Sequence, residues 1–139
     1  MYERLAIVLF VLIIAAIGMG IMRRCGTQRA QNAMHGLEIS PGIPTIVYFW
    51  SPHCHACRNV QKPILERIGE KCGEKYLRLI SYNVDESADI AIAWGVMTIP
   101  TTFIIDQSGE VEFANFGLAT GEVLHRQLNL HAISQGEVQ

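Results

Sequence analysis

The stretch TIVYFWSPHCHACRNVQKPILERI, residues 45–68, decides how the rest of the chain is read. Thr45 to Trp50 is a short run of β-branched and aromatic residues with almost no polar interruption, the pattern of a central strand buried on both faces. It stops at Ser51-Pro52. Beyond it, Cys57, Val60, Ile64, Ile68 and Cys72 recur at spacings of three and four, which predicts one apolar face of a helix closed by Gly73. Pro63 lies inside that pattern and predicts a kink. Cys54 and Cys57 therefore sit where a buried strand hands over to a helix.

That position has chemical consequences. The first turn of a helix carries unbonded N–H groups and the positive end of the helix dipole, so a thiolate at Cys54 is stabilised there. Cys57 lies one turn later on the core side, close enough for a local disulfide. The expected division is an exposed attacking sulfur at Cys54 and a buried resolving one at Cys57. An imidazole at His55 beside a Cys54 thiolate would favour the reduced pair and raise the reduction potential.

Downstream, Leu77 to Val84 reads as a second strand, and Ser87 as the cap of a short helix from Ala88 to Trp94 that stops at Gly95. Thr102 to Ile105 and Val111 to Phe116 are spaced as a hairpin about Gln107-Ser108-Gly109, and Thr120 opens a last helix to about Leu130. The order β-α-β-α-β-β-α implies an α/β fold with a mixed sheet.

Two segments, FWSPHCHACRNVQKPILERI and WGVMTIPTTFIIDQSGEV, resemble the active-site strand and helix and the cis-proline segment of thioredoxin. The resemblance covers residues 43 to 130. It implies a thioredoxin-like fold in which Pro100 is cis and packs against Cys54 and Cys57, while the Ile99 backbone binds an extended substrate by strand addition. Phe49 and Trp50 match the family's aromatic pair, and His53 stands where a tryptophan is usual. PTTFIID is also similar to the anchored TlpA and ResA-like reductases, although the interval from Cys57 to Pro100 is too short for their insertion. The pattern departs from thioredoxins at Tyr48, where they carry a buried aspartate, and at Ser81, where its lysine partner would be. Pro63 follows Cys57 by six residues rather than five. The family's first strand and helix have no visible counterpart, which predicts a minimal core.

The other end of the chain differs in character. Half of the 139 residues are hydrophobic, and the excess is concentrated at Leu5 to Met22, where every residue is apolar or glycine. Eighteen residues reach about 27 Å as a helix, close to the ~30 Å hydrocarbon layer. Arg23 and Arg24 follow directly, without the small-residue site of a cleaved signal peptide or of a lipidated cysteine. Residues 1–22 thus read as an uncleaved transmembrane anchor, 23–42 as a polar linker and 43–139 as the thioredoxin-like domain. Arg4 precedes the run whereas Arg23, Arg24 and Arg29 follow it, so charge alone puts the domain on the cytoplasmic side, and four cysteines suit either compartment.

These features point to a membrane-anchored thiol-disulfide oxidoreductase that exchanges disulfides with protein substrates and draws electrons from, or passes them to, a redox partner. No prosthetic group is required. The alternative is a copper or zinc binding module using Cys54, Cys57, His53 and His55. A net charge of −2 with scattered cations argues against nucleic acid, and Arg58 in place of histidine excludes covalent haem. Cys72 falls on the apolar helix face as an inert thiol. Cys25 at the membrane edge is either a free thiol or an intermolecular bridge, and His125 and His131 read as solvated or packed.

Overall fold

The computed structural model describes residues 2–34 and 42–134. Its elements are α1 (Tyr2–Met34), β1 (Thr45–Trp50), a π-helical turn (Cys57–Gln61), α2 (Lys62–Cys72), β2 (Arg78–Asn83), α3 (Ala88–Ala93), β3 (Thr101–Ile105), β4 (Val111–Phe116) and α4 (Gly121–Ser134). The four strands form one sheet in the order β2-β1-β3-β4. β1 runs parallel to β2 and antiparallel to β3, and β3 is antiparallel to β4. This is the mixed sheet expected of a crossover followed by a hairpin.

Alternation along β1 divides the core into two layers. Ile46 and Tyr48 face Cys57, Leu65, Ile68 and Leu124 on the side of α2 and α4. Val47 and Phe49 face Trp94 and Phe103 on the other side, with Ala30 of α1 in the same cluster. The second layer is strongly aromatic. Phe49 stacks on Tyr82 with ring centroids 5.5 Å apart, and Trp94 meets Phe103 edge-on at 5.0 Å.

The largest departure from expectation lies at residues 23–34. They do not form a linker: α1 continues through them without interruption to Met34, and residues 35–41 lie outside the described residues. Tertiary packing explains the difference. Gly26, Ala30 and Ala33 fall on one side of the helix, and Ala30 is fully buried against the sheet. A side chain at Gly26 would meet the Phe116 ring at 2.7 Å, so glycine allows this approach without displacing the ring. Gln31 donates to the Gly109 carbonyl at 3.3 Å and accepts the Val111 N–H at 2.6 Å. The end of α1 thus covers the sheet beside α3, supplying a first helix that the sequence does not reveal, while among the described residues no strand precedes β1.

The helix after β1 also departs from the simple pattern. Its apolar face does not include Val60, which is exposed, while Gln61 is buried. Pro63 supplies the reason. Lacking an N–H and clashing with the carbonyl four residues back, it favours a widened turn just ahead of it, and Lys62 N–H bonds the Cys57 carbonyl five residues away. The irregularity is therefore a π turn over Cys57–Gln61, not a kink at Pro63. α3 begins after Ser87 without a side-chain cap, and α4 runs four residues beyond Leu130. Gly73 and Gly95, with φ of +77° and +70°, end α2 and α3 as the sequence indicates.

Candidate functional site

The loop after β1 is tied down before the helix begins. The Ser51 hydroxyl donates to Asp85 Oδ2 at 2.7 Å and accepts the His53 N–H at 3.2 Å, and Cys54 N–H bonds the Ser51 carbonyl at 3.1 Å. These contacts deliver Cys54 to the first helical turn. Its Sγ accepts the backbone N–H of Cys57 at 3.2 Å, the kind of donor that stabilises a thiolate at this position. Cys54 and Cys57 are joined as a disulfide, with Cα atoms 5.3 Å apart. Cys57 is fully buried, whereas Cys54 is half-buried at the edge of the core.

Trp50, Cys54 and Ile99 all pack against the cluster that contains Cys57. The Ile99–Pro100 peptide bond is cis, Pro100 is buried, and its carbonyl accepts the Gly117 N–H at 2.8 Å. His53 and His55 are exposed. Of the other cysteines, Cys25 is exposed and free, and Cys72 is free and half-buried on the core face of α2. His125 is half-buried, and the His131 side chain lies outside the described residues.

Tyr48 is buried beside the disulfide and its hydroxyl donates to the Cys57 carbonyl at 2.9 Å. Burial pushes its phenol up to about 12. At neutral pH the group is a hydrogen-bond donor, so it fastens Cys57 in place and does not serve as a proton acceptor.

Sequence reasoning missed Gln61. Its amide is buried and grips both sides of one backbone unit, donating to the Ala119 carbonyl at 3.1 Å and accepting the Ala119 N–H at 2.8 Å. The glutamine of the π turn thereby pins the 117–120 loop, which in turn bonds Pro100 through Gly117. One signal was available: the six-residue interval from Cys57 to Pro63 is an extra residue in the helix, and an extra residue accommodated as a π turn rotates its neighbours into new positions. Asp85, which holds Ser51, carried no comparable mark.

This geometry has counterparts elsewhere. The thioredoxin family profile matches residues 29–129, most of the chain. The chain belongs to the thioredoxin family. A thioredoxin from Bacillus subtilis is 32% identical over 103 residues, which make up 74% of this chain and 95% of that protein. A Listeria monocytogenes thioredoxin is 37% identical over 92 residues, covering 66% of this chain and 85% of its own length. Among solved structures, the thioredoxin-2 described as a component of malaria parasite protein secretion machinery superposes with a TM-score of 0.59 at 17% identity. It covers 64% of this chain and 84% of that one, and shows the shared fold. The protein is a thioredoxin-like thiol-disulfide oxidoreductase. Within its described residues the family match begins at Arg29, in the last turns of α1, which agrees with the packing of that segment on the sheet.

Proposed function

We propose that the chain is a membrane-anchored oxidoreductase that exchanges disulfides with protein substrates through Cys54 and Cys57, residues 5–22 forming the anchor. The observation that carries this reading is the asymmetry of the pair: a half-buried Cys54 with its sulfur on a helix-start N–H, and a fully buried Cys57 behind it. In the reducing direction the Cys54 thiolate attacks a substrate disulfide, displacing one substrate thiolate and forming a mixed disulfide. Cys57 then loses its proton and attacks Cys54 Sγ, releasing the second substrate sulfur. The substrate gains two electrons and the chain is left with its internal disulfide. The reverse sequence oxidises a dithiol, and a redox partner restores the starting state.

Ile99 and Pro100 supply the backbone edge against which an extended substrate pairs, and Trp50, His53 and His55 form the rim around Cys54. The helix of α1 is long and apolar enough to cross a bilayer, and the arginines after Met22 orient the domain to the cytoplasmic side. The pairing of Cys54 with Cys57 as a disulfide favours exchange over the metal-binding alternative.

The roles are tested by trapping. Cys57→Ser attacks substrates and stalls as a mixed disulfide, whereas Cys54→Ser loses turnover and traps nothing. Equal trapping by the two variants would overturn the assignment.

A further inference from the structure

The direction in which α1 enters the domain fixes which end of the sheet meets the membrane. β1 ends at Trp50, four residues before Cys54, and Trp50 lies at the same end of the sheet as Thr101, which follows Pro100, and Phe116, which pairs with Thr101. This is the disulfide end. Gly26 packs on Phe116 at that end, and Gln31 bonds Gly109 and Val111 at the opposite end. The helix therefore runs down the sheet away from the disulfide, and its apolar run projects beyond the disulfide end. Gly26 follows Met22 by only four positions, about 6 Å of helix. The polar layer of a bilayer is itself only about 5–8 Å deep on each side. No slack remains to lift the disulfide end clear of it.

The surface at that end suits this placement. A groove of about 560 Å³ runs between α1 and the two loops beside Pro100, lined by Met19, Arg29, Met97, Phe116, Leu118 and Val123. Met19 belongs to the apolar run, so the groove is continuous with the spanning segment. Met97 and Leu118 expose 75% and 46% of their surface beside this apolar wall. Arg29 adds a cation on the domain side, suited to lipid phosphate.

We propose that this face is a bilayer-docking surface, with Met97 and Leu118 seated in the interfacial layer of the membrane that α1 crosses, so that Cys54 opens towards the membrane surface. The partner it fits is a disulfide or dithiol carried close to that surface. The inference rests on the anchoring proposed above.

The test places photoreactive p-benzoylphenylalanine singly at Ile13, Met97 or Tyr76 of the full chain, reconstituted in vesicles of phosphatidylcholine and phosphatidylglycerol. Tyr76 is exposed and lies just before the start of β2, at the end remote from the disulfide. Each protein is first checked for disulfide exchange, which shows that it is folded. Irradiation should give lipid adducts at Ile13 and Met97 and a loss of adduct at Tyr76. Adducts at Ile13 with none at Met97, equal adducts at Met97 and Tyr76, or a crosslinked second copy at Met97 would each overturn the docking. No adduct at Ile13 would overturn the anchor, and the docking with it.

Discussion

Replacing Gln61 by leucine removes a buried amide while keeping its approximate volume, and its consequences follow from what the amide holds. The Ala119 N–H and C=O both bond to it, at 2.8 and 3.1 Å, and Ala119 is 3% exposed, so water does not replace the lost partner. Each unsatisfied buried backbone group costs about 1–3 kcal/mol. Leucine recovers part of this through its apolar surface, leaving an expected loss of about 2–4 kcal/mol, or a fall in Tm of at least ~8 °C for a domain of this size. Because the 117–120 loop also bonds Pro100, KM for a protein disulfide should rise more than kcat falls. Gln61→Glu supplies a second readout. A neutral carboxyl can donate to the Ala119 carbonyl and a carboxylate cannot, so burial raises the folded pKa above the unfolded value of about 4.3. Stability of this variant is then greatest below that value and declines as pH rises through the folded pKa. Urea unfolding of the oxidised full chain at pH 4 and pH 7 measures both. A Gln61→Leu protein within about 0.5 kcal/mol of the parent, or a Gln61→Glu protein equally stable at both pH values, would show that the amide does not hold the loop.

Tyr48 predicts an alkaline limb. Its phenol is raised from 10.0 to about 12 by burial, so its stabilising contribution is complete below pH 10 and is lost as pH rises towards 12. The loss is worth roughly 2–3 kcal/mol. Tyr82, also raised by burial, adds to the same limb, and unfolding at pH 9 and 11 should show Tyr48→Phe declining less steeply than the parent. His55→Ala should lower the reduction potential of the pair. The imidazole is exposed and screened, so an effect of ~0.2–1 kcal/mol, roughly 5–20 mV, is expected in a glutathione buffer series. An unchanged or higher potential would assign the thiolate's stability to the helix start alone.

The strands were legible because their signals are local and redundant. TIVYFW is apolar on both faces, since α2 and α4 cover one side and α1 and α3 the other. The hairpin is marked by Gly109, whose φ of +88° few other residues adopt. The CxxC pair was legible because strand, turn and helix signals meet there. What escaped depended on tertiary contacts. Residues 23–34 look polar and aperiodic, yet Gly26, Ala30 and Ala33 form a narrow stripe whose value lies in its smallness against Phe116 and the sheet. Val60 and Gln61 exchanged places because a single extra residue before Pro63 is absorbed as a π turn, which a fixed 3.6-residue period does not represent. Tyr48 stands out in the sequence as a departure from the family, but its bond to the Cys57 carbonyl becomes visible only when strand and helix are packed.

On the proposed mechanism Cys54 and Cys57 together carry the exchanged electrons. The most direct measurement starts from fully reduced full chain, mixes it with one equivalent of a protein disulfide, quenches with an alkylating reagent and maps the cysteines by peptide mass. A Cys54–Cys57 disulfide should form in step with substrate reduction, while Cys25 and Cys72 are recovered alkylated. Substrate reduction accompanied by oxidation at Cys25 or Cys72, with Cys54 and Cys57 still alkylated, would contradict this mechanism.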